Sequence, residues 1–254
     1  MRFVRILVYI VVVIGAGAFF YNRYEEKQHD RLHEEEFEHE MDYSHYEDQS
    51  LAYFSSIRLS GNYEVEVKIG NKPHIHIEAI DSDARDDIKA FVKDRTLYVQ
   101  PRDKRFKWKE KYKLEITAPV LSKLHVSGSS EVDIVDQITG NQFDLNVSGK
   151  GDVDMDLDVK TFQANLSGKA DIDVGGQASY SEITVSGAGD IHAFDLRTKK
   201  TRVNISGKGN AEIYTLEELD AKLSGAGTIL YRGNPSRINK HKSGIGTIRP
   251  AVEE

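Results

Sequence analysis

Residues 146–156 read NVSGKGDVDMD, residues 165–174 NLSGKADIDV, residues 184–194 TVSGAGDIHAF and residues 204–214 NISGKGNAEIY. Each copy is a Ser-Gly pair with an apolar residue before it and alternating polar and apolar residues after it. Outward from these four, the pair recurs at Ser127-Gly128, Ser224-Gly225 and Ser243-Gly244, with successive glycines 21, 19, 19, 20, 18 and 19 residues apart. A nearly fixed period of this length marks a stacked repeat, whose units bury their apolar faces only against one another.

Aligned on the glycine, every position has a character. Two residues before it stand Val126, Val147, Leu166, Val185, Ile205 and Leu223, and four before it Leu124, Leu145, Ala164, Ile183, Val203 and Ala221. Four after it stand Val132, Val153, Ile172, Ile191, Ala211, Ile229 and Ile248. Apolar residues therefore alternate at period two on both sides of a glycine corner, which is strand, corner, strand. Asn146, Asn165 and Asn204 take the outward position between two apolar ones. The pattern predicts an all-β chain whose core is a parallel β-solenoid of about seven coils, equivalent residues stacking ~4.8 Å apart. A meander of regular hairpins also satisfies the alternation, but only stacking demands a locked register.

The chain has 254 residues, a formal net charge of −7 and no cysteine. Disulfides, thiolate-held metals and a lipid anchor attached to cysteine are excluded. Residues 6–21 are an unbroken apolar, aromatic and glycine run behind Arg2 and Arg5, which predicts N-in insertion with the body delivered outside the cytoplasm. Ala16-Gly17-Ala18 offers a signal-peptide cleavage site, whereas Phe19, Phe20 and Tyr21 carry the run past it toward the ~20 residues of a membrane anchor. Residues 1–22 are thus an anchor or a signal segment, and either places the body in the periplasm or at the cell surface.

Residues 23–52 form an acidic spacer. From Glu25 to Ser50 eight glutamates and three aspartates face only Lys27 and Arg31, so the chain's acidity belongs to this stretch. A solvated spacer, helical or disordered, is expected. Its histidines His29, His33, His39 and His45 have no fixed scaffold to orient them on a metal.

Residues 53–120 are predicted to be a β-strand cap, with a hairpin over 62–79, a short helix or irregular turn at Ile88, Phe91 and Val92, and a strand pair at 96–99 and 112–116. His74 and His76 fall on one strand face and are expected to be solvated. The repeats then fill 121–250.

The order of Phe54, Ile57, the segment 62–79, DRTLYVQP at 94–101, YKLEITAP at 112–119, LSKLHVSGSSEVDI at 121–134, the four copies above and KLSGAGTILYRGNP at 222–235 resembles the putative auto-transporter adhesin, head GIN domain family. The resemblance runs from about Phe54 to Pro235. It implies a strand cap followed by a right-handed β-solenoid in an exported, envelope-associated bacterial protein, and it supplies no catalytic residues.

Two constellations carry chemistry. Three residues after each glycine stand Glu131, Asp152, Asp171 and Asp190, and five after it Asp133, Asp154, Asp173, His192 and Glu212. Stacked carboxylates repel unless solvent, lysines, hydrogen bonds or a cation intervene. Asp152, Asp154, Asp171 and Asp173 are therefore candidate calcium ligands, candidate acids of a carbohydrate-active enzyme, or structural acceptors for backbone N–H groups. No other cofactor is implied.

The second constellation lies between Arg102 and Lys113, where seven basic residues face Asp103 and Glu110 and alternate with Phe106, Trp108 and Tyr112. Arg105, Lys107, Trp108, Lys109 and Lys111 are the candidate contact residues for an anionic envelope glycan or lipid. The competing role is a lysine-guarded strand edge. Nucleic acid is not an expected partner of an exported acidic chain. The expected function is a non-catalytic, adhesin-like envelope module, against an enzyme using the stacked aspartates or a structural protein that self-associates or binds a protein partner.

Overall fold

The computed structural model describes residues 45–79, 88–102 and 112–252, with side chains from Gln49 onward. The described residues hold sixteen strands and no helix: β1 (His45–Ser50), β2 (Ser56–Leu59), β3 (Asn62–Ile69), β4 (His74–Ala79), β5 (Ile88–Lys93), β6 (Thr96–Pro101), β7 (Tyr112–Ala118), β8 (Lys123–Val126), β9 (Ser129–Val147), β10 (Lys150–Leu166), β11 (Lys169–Val185), β12 (Ala188–Ile205), β13 (Lys208–Leu223), β14 (Ala226–Arg232), β15 (Arg237–Lys242) and β16 (Ile245–Pro250). The predicted anchor and most of the predicted spacer lie outside the described residues.

Strands β9 to β13 stack in parallel, each beginning just after one Ser-Gly corner and ending just before the next. The architecture is a β-solenoid of about seven turns. Register is held at the predicted positions: Val153 lies beside Val132 and Ile172, and Asp152 beside Glu131 and Asp171. The inward columns form one continuous core. Val126, Val147, Leu166, Val185, Ile205 and Leu223 are buried to within 1% of full occlusion. At ~1.5–3 kcal/mol for each buried aliphatic side chain, these ladders supply the main favourable term. Phe143 and Phe162 stack within the core, ring centroids 6.4 Å apart, and so line no external groove.

The corners explain the Ser-Gly pair. Ser148 N donates to Val126 O at 2.9 Å and Lys150 N to Gly128 O at 2.8 Å, and the same pattern repeats coil after coil. Ser127 Oγ donates to Leu59 O at 3.0 Å and Ser148 Oγ to Val126 O at 3.4 Å, so the corner hydroxyls serve the backbone of the preceding coil. Glycine is required by proximity. A Cβ at Gly168 would lie 1.9 Å from Gly149 O, and one at Gly149 would lie 1.9 Å from Gly128 O.

One rung lies outside the predicted seven. Residues 59–67, LSGNYEVEV, repeat the pattern of 126–134, VSGSSEVDI. Strand β2 pairs in parallel with β8, and β3 with β9, so that Ser60-Gly61 sits directly under Ser127-Gly128. A Cβ at Gly128 would lie 2.0 Å from Gly61 O, the same contact as elsewhere in the stack. The period hides this copy because β4 to β7 are inserted after it.

Those inserted strands correct three expectations. Strands β3 and β4 are not a hairpin: β7 lies between them, parallel to β3 and antiparallel to β4. Strands β6 and β7 do not pair with each other, since β6 lies between β2 and β5. Ile88, Phe91 and Val92 lie on strand β5, where Phe91 stacks on Tyr98 at 5.2 Å. In the first two cases the partner that wins is distant in sequence and continues an inward apolar column, which a local pattern cannot show, whereas β5 forms a local hairpin with β6. Strand β1, drawn from the end of the predicted spacer, pairs antiparallel with β4 and covers its edge.

The opposite end closes differently. In the last coil Lys240 pairs with Ala221 and Lys242 with Leu223, so lysines occupy positions that are apolar in every earlier repeat. Lys240 Nζ donates to the Tyr231 hydroxyl at 2.8 Å and lies over that ring, and Lys242 Nζ donates to Gly246 O at 2.9 Å. Inward-placed charges of this kind discourage edge-to-edge growth of a sheet.

The corner contact yields a stability test. Gly168→Val meets backbone and is expected to cost about 1–3 kcal/mol or more in chemical denaturation. Gly70→Val meets the Thr117 methyl group at 2.7 Å, a side chain that can turn away, and is expected to cost less. Equal, negligible losses would show that the glycine stack is not a constraint.

Candidate functional site

The predicted contact residues Arg105, Lys107, Trp108, Lys109 and Lys111 lie outside the described residues. Both roots of their segment are described. On one side Arg102 follows β6, and its guanidinium donates to Ile88 O at 3.4 Å. On the other, Tyr112 opens β7 with its ring fully buried and edge-on to Tyr63, centroids 6.3 Å apart. Lys113 Nζ approaches Glu64 at 3.9 Å. The residues that flank the segment therefore belong to cap strands, and Tyr112 is anchored in the core.

On the flank of the stack the carboxylate columns form as predicted and extend one rung further. Glu64, Glu131, Asp152, Asp171 and Asp190 make one column; Glu66, Asp133, Asp154 and Asp173 make its neighbour, which His192 and Glu212 continue. Four consecutive rungs thus carry two carboxylates each. The other flank resolves the same crowding by alternation: Lys123, Asp144, Gln163, Glu182, Arg202, Asp220 and Asn239 stack in register. There Arg202 reaches Glu182 at 3.8 Å and Asp220 at 3.3 Å. Asn165 Nδ2 donates to Asn146 Oδ1 at 3.3 Å, an amide ladder on the same side.

Asp152, Asp154, Asp171 and Asp173 occupy adjacent rungs of β10 and β11. Among the described residues, no three carboxylate or imidazole groups converge closely enough to hold a metal ion. The structural role is visible further along the columns. Asp190 Oδ1 accepts from Asn210 N and Asn210 Nδ2, both at 2.8 Å, and Asn210 Oδ1 accepts from Thr228 N at 3.0 Å. Two half-buried aromatics lie beyond the aspartates, each with a guanidinium over its ring: Phe194 under Arg232 at 4.0 Å and Tyr214 under Arg197 at 5.5 Å. His76, on the cap, is paired to Glu78 at 3.2 Å.

His192 ends the run of carboxylates. Its Nε2 lies 3.2 Å from Asp171 Oδ1 in the coil before, and its Nδ1 lies 3.1 Å from Glu212 Oε2 in the coil after. The two carboxylates raise the imidazole pKa from its ordinary 6.5 to about 10, Asp171 first and Glu212 second, against the opposing effect of burial. The ring is therefore a cation at neutral pH and ties three coils together. A raised pKa contributes stability that is complete below pH 6.5 and is lost as pH rises through about 10. His192→Gln is expected to lower stability by about 1.5–3 kcal/mol at the acid end of this window. The deficit relative to the unaltered protein shrinks toward pH 10, as read from paired denaturation curves. A deficit that does not change with pH would refute the ionic clamp.

Comparison with solved structures places this fold. A putative adhesin from Bacteroides fragilis NCTC 9343 superposes with a TM-score of 0.75 at 27% identity, covering 82% of this chain and 96% of that one. A putative lipid binding protein and a putative adhesin, both from Parabacteroides distasonis ATCC 8503, each superpose with a TM-score of 0.64 at 22% identity over the same shares, a likeness of fold alone. No curated protein matches the sequence. Residues 53–235 match the family described as putative auto-transporter adhesin, head GIN domain, and that span takes in the Ser60-Gly61 rung, the inserted strands and all but the last Ser-Gly corner. The chain belongs to the putative auto-transporter adhesin, head GIN domain family.

Proposed function

We propose that this chain is a non-catalytic, adhesin-like interaction module of the cell envelope, held outside the cytoplasm by residues 1–22, which engages an anionic glycan or lipid through the segment between Arg102 and Lys113. The family's description and the adhesin name of the Bacteroides fragilis relative support the class of function and the extracytoplasmic setting. One observation carries the choice of surface: seven of the twelve residues from Arg102 to Lys113 are basic, with Trp108 among them. The flank of the solenoid presents paired carboxylates on four consecutive rungs and repels an anionic partner. The basic segment carries the opposite sign, and the strands it joins, β6 and β7, belong to the cap. Lysines near an anionic surface contribute ~1 kcal/mol each, so contact is weak singly, additive and sensitive to salt.

Full-length protein in zwitterionic nanodiscs is expected to be retained on vesicles rich in phosphatidylglycerol at low salt and released at high salt. Replacing Lys107, Lys109 and Lys111 by glutamine is expected to weaken retention by roughly a hundredfold, three exposed lysines at ~1 kcal/mol each. Equal retention by the triple variant, or no retention of the unaltered protein on vesicles or on purified anionic envelope glycan, overturns the assignment.

A further inference from the structure

Further along the acidic flank the surface changes character. Seven residues after successive repeat glycines stand Val135, Asp156, Gly175, Phe194, Tyr214 and Arg232, so this position passes to aromatic and basic residues toward the last coil. Rungs that carry two carboxylates end at Asp171 and Asp173. Strand β12 is irregular just beyond them. It holds extra residues between Ala193 and Arg197 relative to β13, and its register against β11 shifts over the same stretch. A bulge bends its strand and re-aims side chains. Here Leu196 is buried in the core, while Phe194 stays half-buried and Arg197 is exposed.

The bulge gathers four side chains from three coils. Arg197 lies beside Tyr214, and Tyr214 beside Arg232, in the strand register. The Arg197 guanidinium stands 5.5 Å from the Tyr214 ring centroid, and that of Arg232 reaches back to lie 4.0 Å from the Phe194 centroid. Neither guanidinium has a hydrogen-bond or ion-pair partner among the described residues, and Arg232 Nε is enclosed and unbonded. On the opposite flank, by contrast, Arg202 and Arg237 pair with Glu182, Asp220 and Glu218. Of the carboxylates nearby in sequence, Glu212 is held by His192 at 3.1 Å, and Asp195 and Glu217 are exposed. Stacking on a ring fixes the plane of a guanidinium and leaves its edge N–H groups free for a planar oxyanion.

We propose that Arg197 and Arg232, held against Tyr214 and Phe194, form a binding site for the carboxylate or phosphate groups of an acidic saccharide. A fork of parallel N–H donors grips such a group by two charge-assisted hydrogen bonds. Gln177, Arg197, Tyr214 and Arg232 follow one another in register on four coils, a line roughly 14 Å long at one strand spacing per step. An extended oligosaccharide matches that line, and the exposed Gln177 amide offers a donor and an acceptor to its hydroxyls. With a guanidinium over each ring, the presented surface is polar, which suits a hydroxyl-rich ligand better than an acyl chain. The site needs no contribution from the segment between Arg102 and Lys113.

The test is equilibrium binding of the full-length protein in zwitterionic nanodiscs to three short probes: an oligogalacturonate, its neutral methyl ester and a mannose-phosphate oligosaccharide. At least one anionic probe is expected to bind about tenfold or more above the ester, the gain of one charge-assisted pair. Binding of one anionic probe names the anion that the forks accept, and binding of both assigns the site to acidic saccharides in general. Arg197→Lys, at an exposed position, and Arg197→Lys with Arg232→Lys keep the charge but remove the fork. Each is expected to weaken anionic binding about tenfold or more and leave the ester unchanged, a pattern that neither unfolding nor general electrostatic attraction produces.

The variant with Lys107, Lys109 and Lys111 replaced by glutamine is expected to lose vesicle retention and keep saccharide binding, so that each proposal can fail alone. Loss of saccharide binding in that variant, equal binding of acid and ester, no binding of either anionic probe, or unchanged binding by both arginine variants would overturn the site. Loss of retention on phosphatidylglycerol vesicles in the arginine variants, without saccharide binding, would assign the forks to a lipid head group instead. Glu253 and Glu254 lie outside the described residues. Saccharide binding that emerges only when both are replaced by glutamine would assign the forks to the chain's own carboxylates and overturn the proposal as well.

Discussion

A glycine pressed against the carbonyl of the glycine one coil below is the contact on which the rest of the molecule depends. At that corner no side chain fits, because a Cβ at Gly149, Gly168, Gly187, Gly207 or Gly225 would stand 1.9–2.0 Å from the oxygen beneath it. The backbone hydrogen bonds of a parallel ladder fix the vertical spacing, and the glycines let the chain turn without opening that spacing. Once the corners are stacked, register is no longer free. Each inward position must be apolar in every coil, and each outward position becomes a column whose members are neighbours whatever their charge. The valine and isoleucine core, the aspartate columns and the asparagine ladder all follow from that single locked register.

Locked columns turn electrostatics into a problem that each flank solves in its own way. Where Arg202 stands between Glu182 and Asp220, alternation within the column neutralises the stack from inside. Where carboxylate follows carboxylate, relief comes from Lys68 on Glu66 and Lys113 near Glu64 at the cap rung, and further along from the Asp190–Asn210–Thr228 chain of hydrogen bonds and the His192 cation. The body therefore has one flank of mixed sign and one on which carboxylates predominate.

The solenoid was legible because stacking writes the same demand at every period. Val126, Val147 and Leu166 are interchangeable in the sequence for the reason that they are neighbours in space. The aspartate columns were legible for the same reason. Most of the cap was not, since apart from the β5–β6 hairpin its strands answer to partners dozens of residues away: β7 enters between β3 and β4, where Leu114 and Ile116 extend columns set by β3 and β9. Ser60-Gly61 carried a readable signal, the apolar-Ser-Gly-x-x-acid-apolar pattern, yet an insertion of several strands removed it from the count by period. The clamp around His192 was half legible. Glu212 shares its column, but the Asp171 contact runs diagonally across two columns and depends on side-chain reach.

The lysines of the last coil have a consequence for how such a rod can vary. Nothing in a middle coil sets the number of coils, since each presents to the next the surface it received from the one before. Termination resides in Lys240 and Lys242 at one end and in the inserted strands at the other. A whole coil gained or lost between Gly149 and Gly225 would leave both finishing devices and the core cross-section untouched. Reach, the distance from the cap to the far tip, is therefore adjustable in steps of one strand spacing, ~4.8 Å. The two ends, where the chemistry differs, change only by substitution of individual residues.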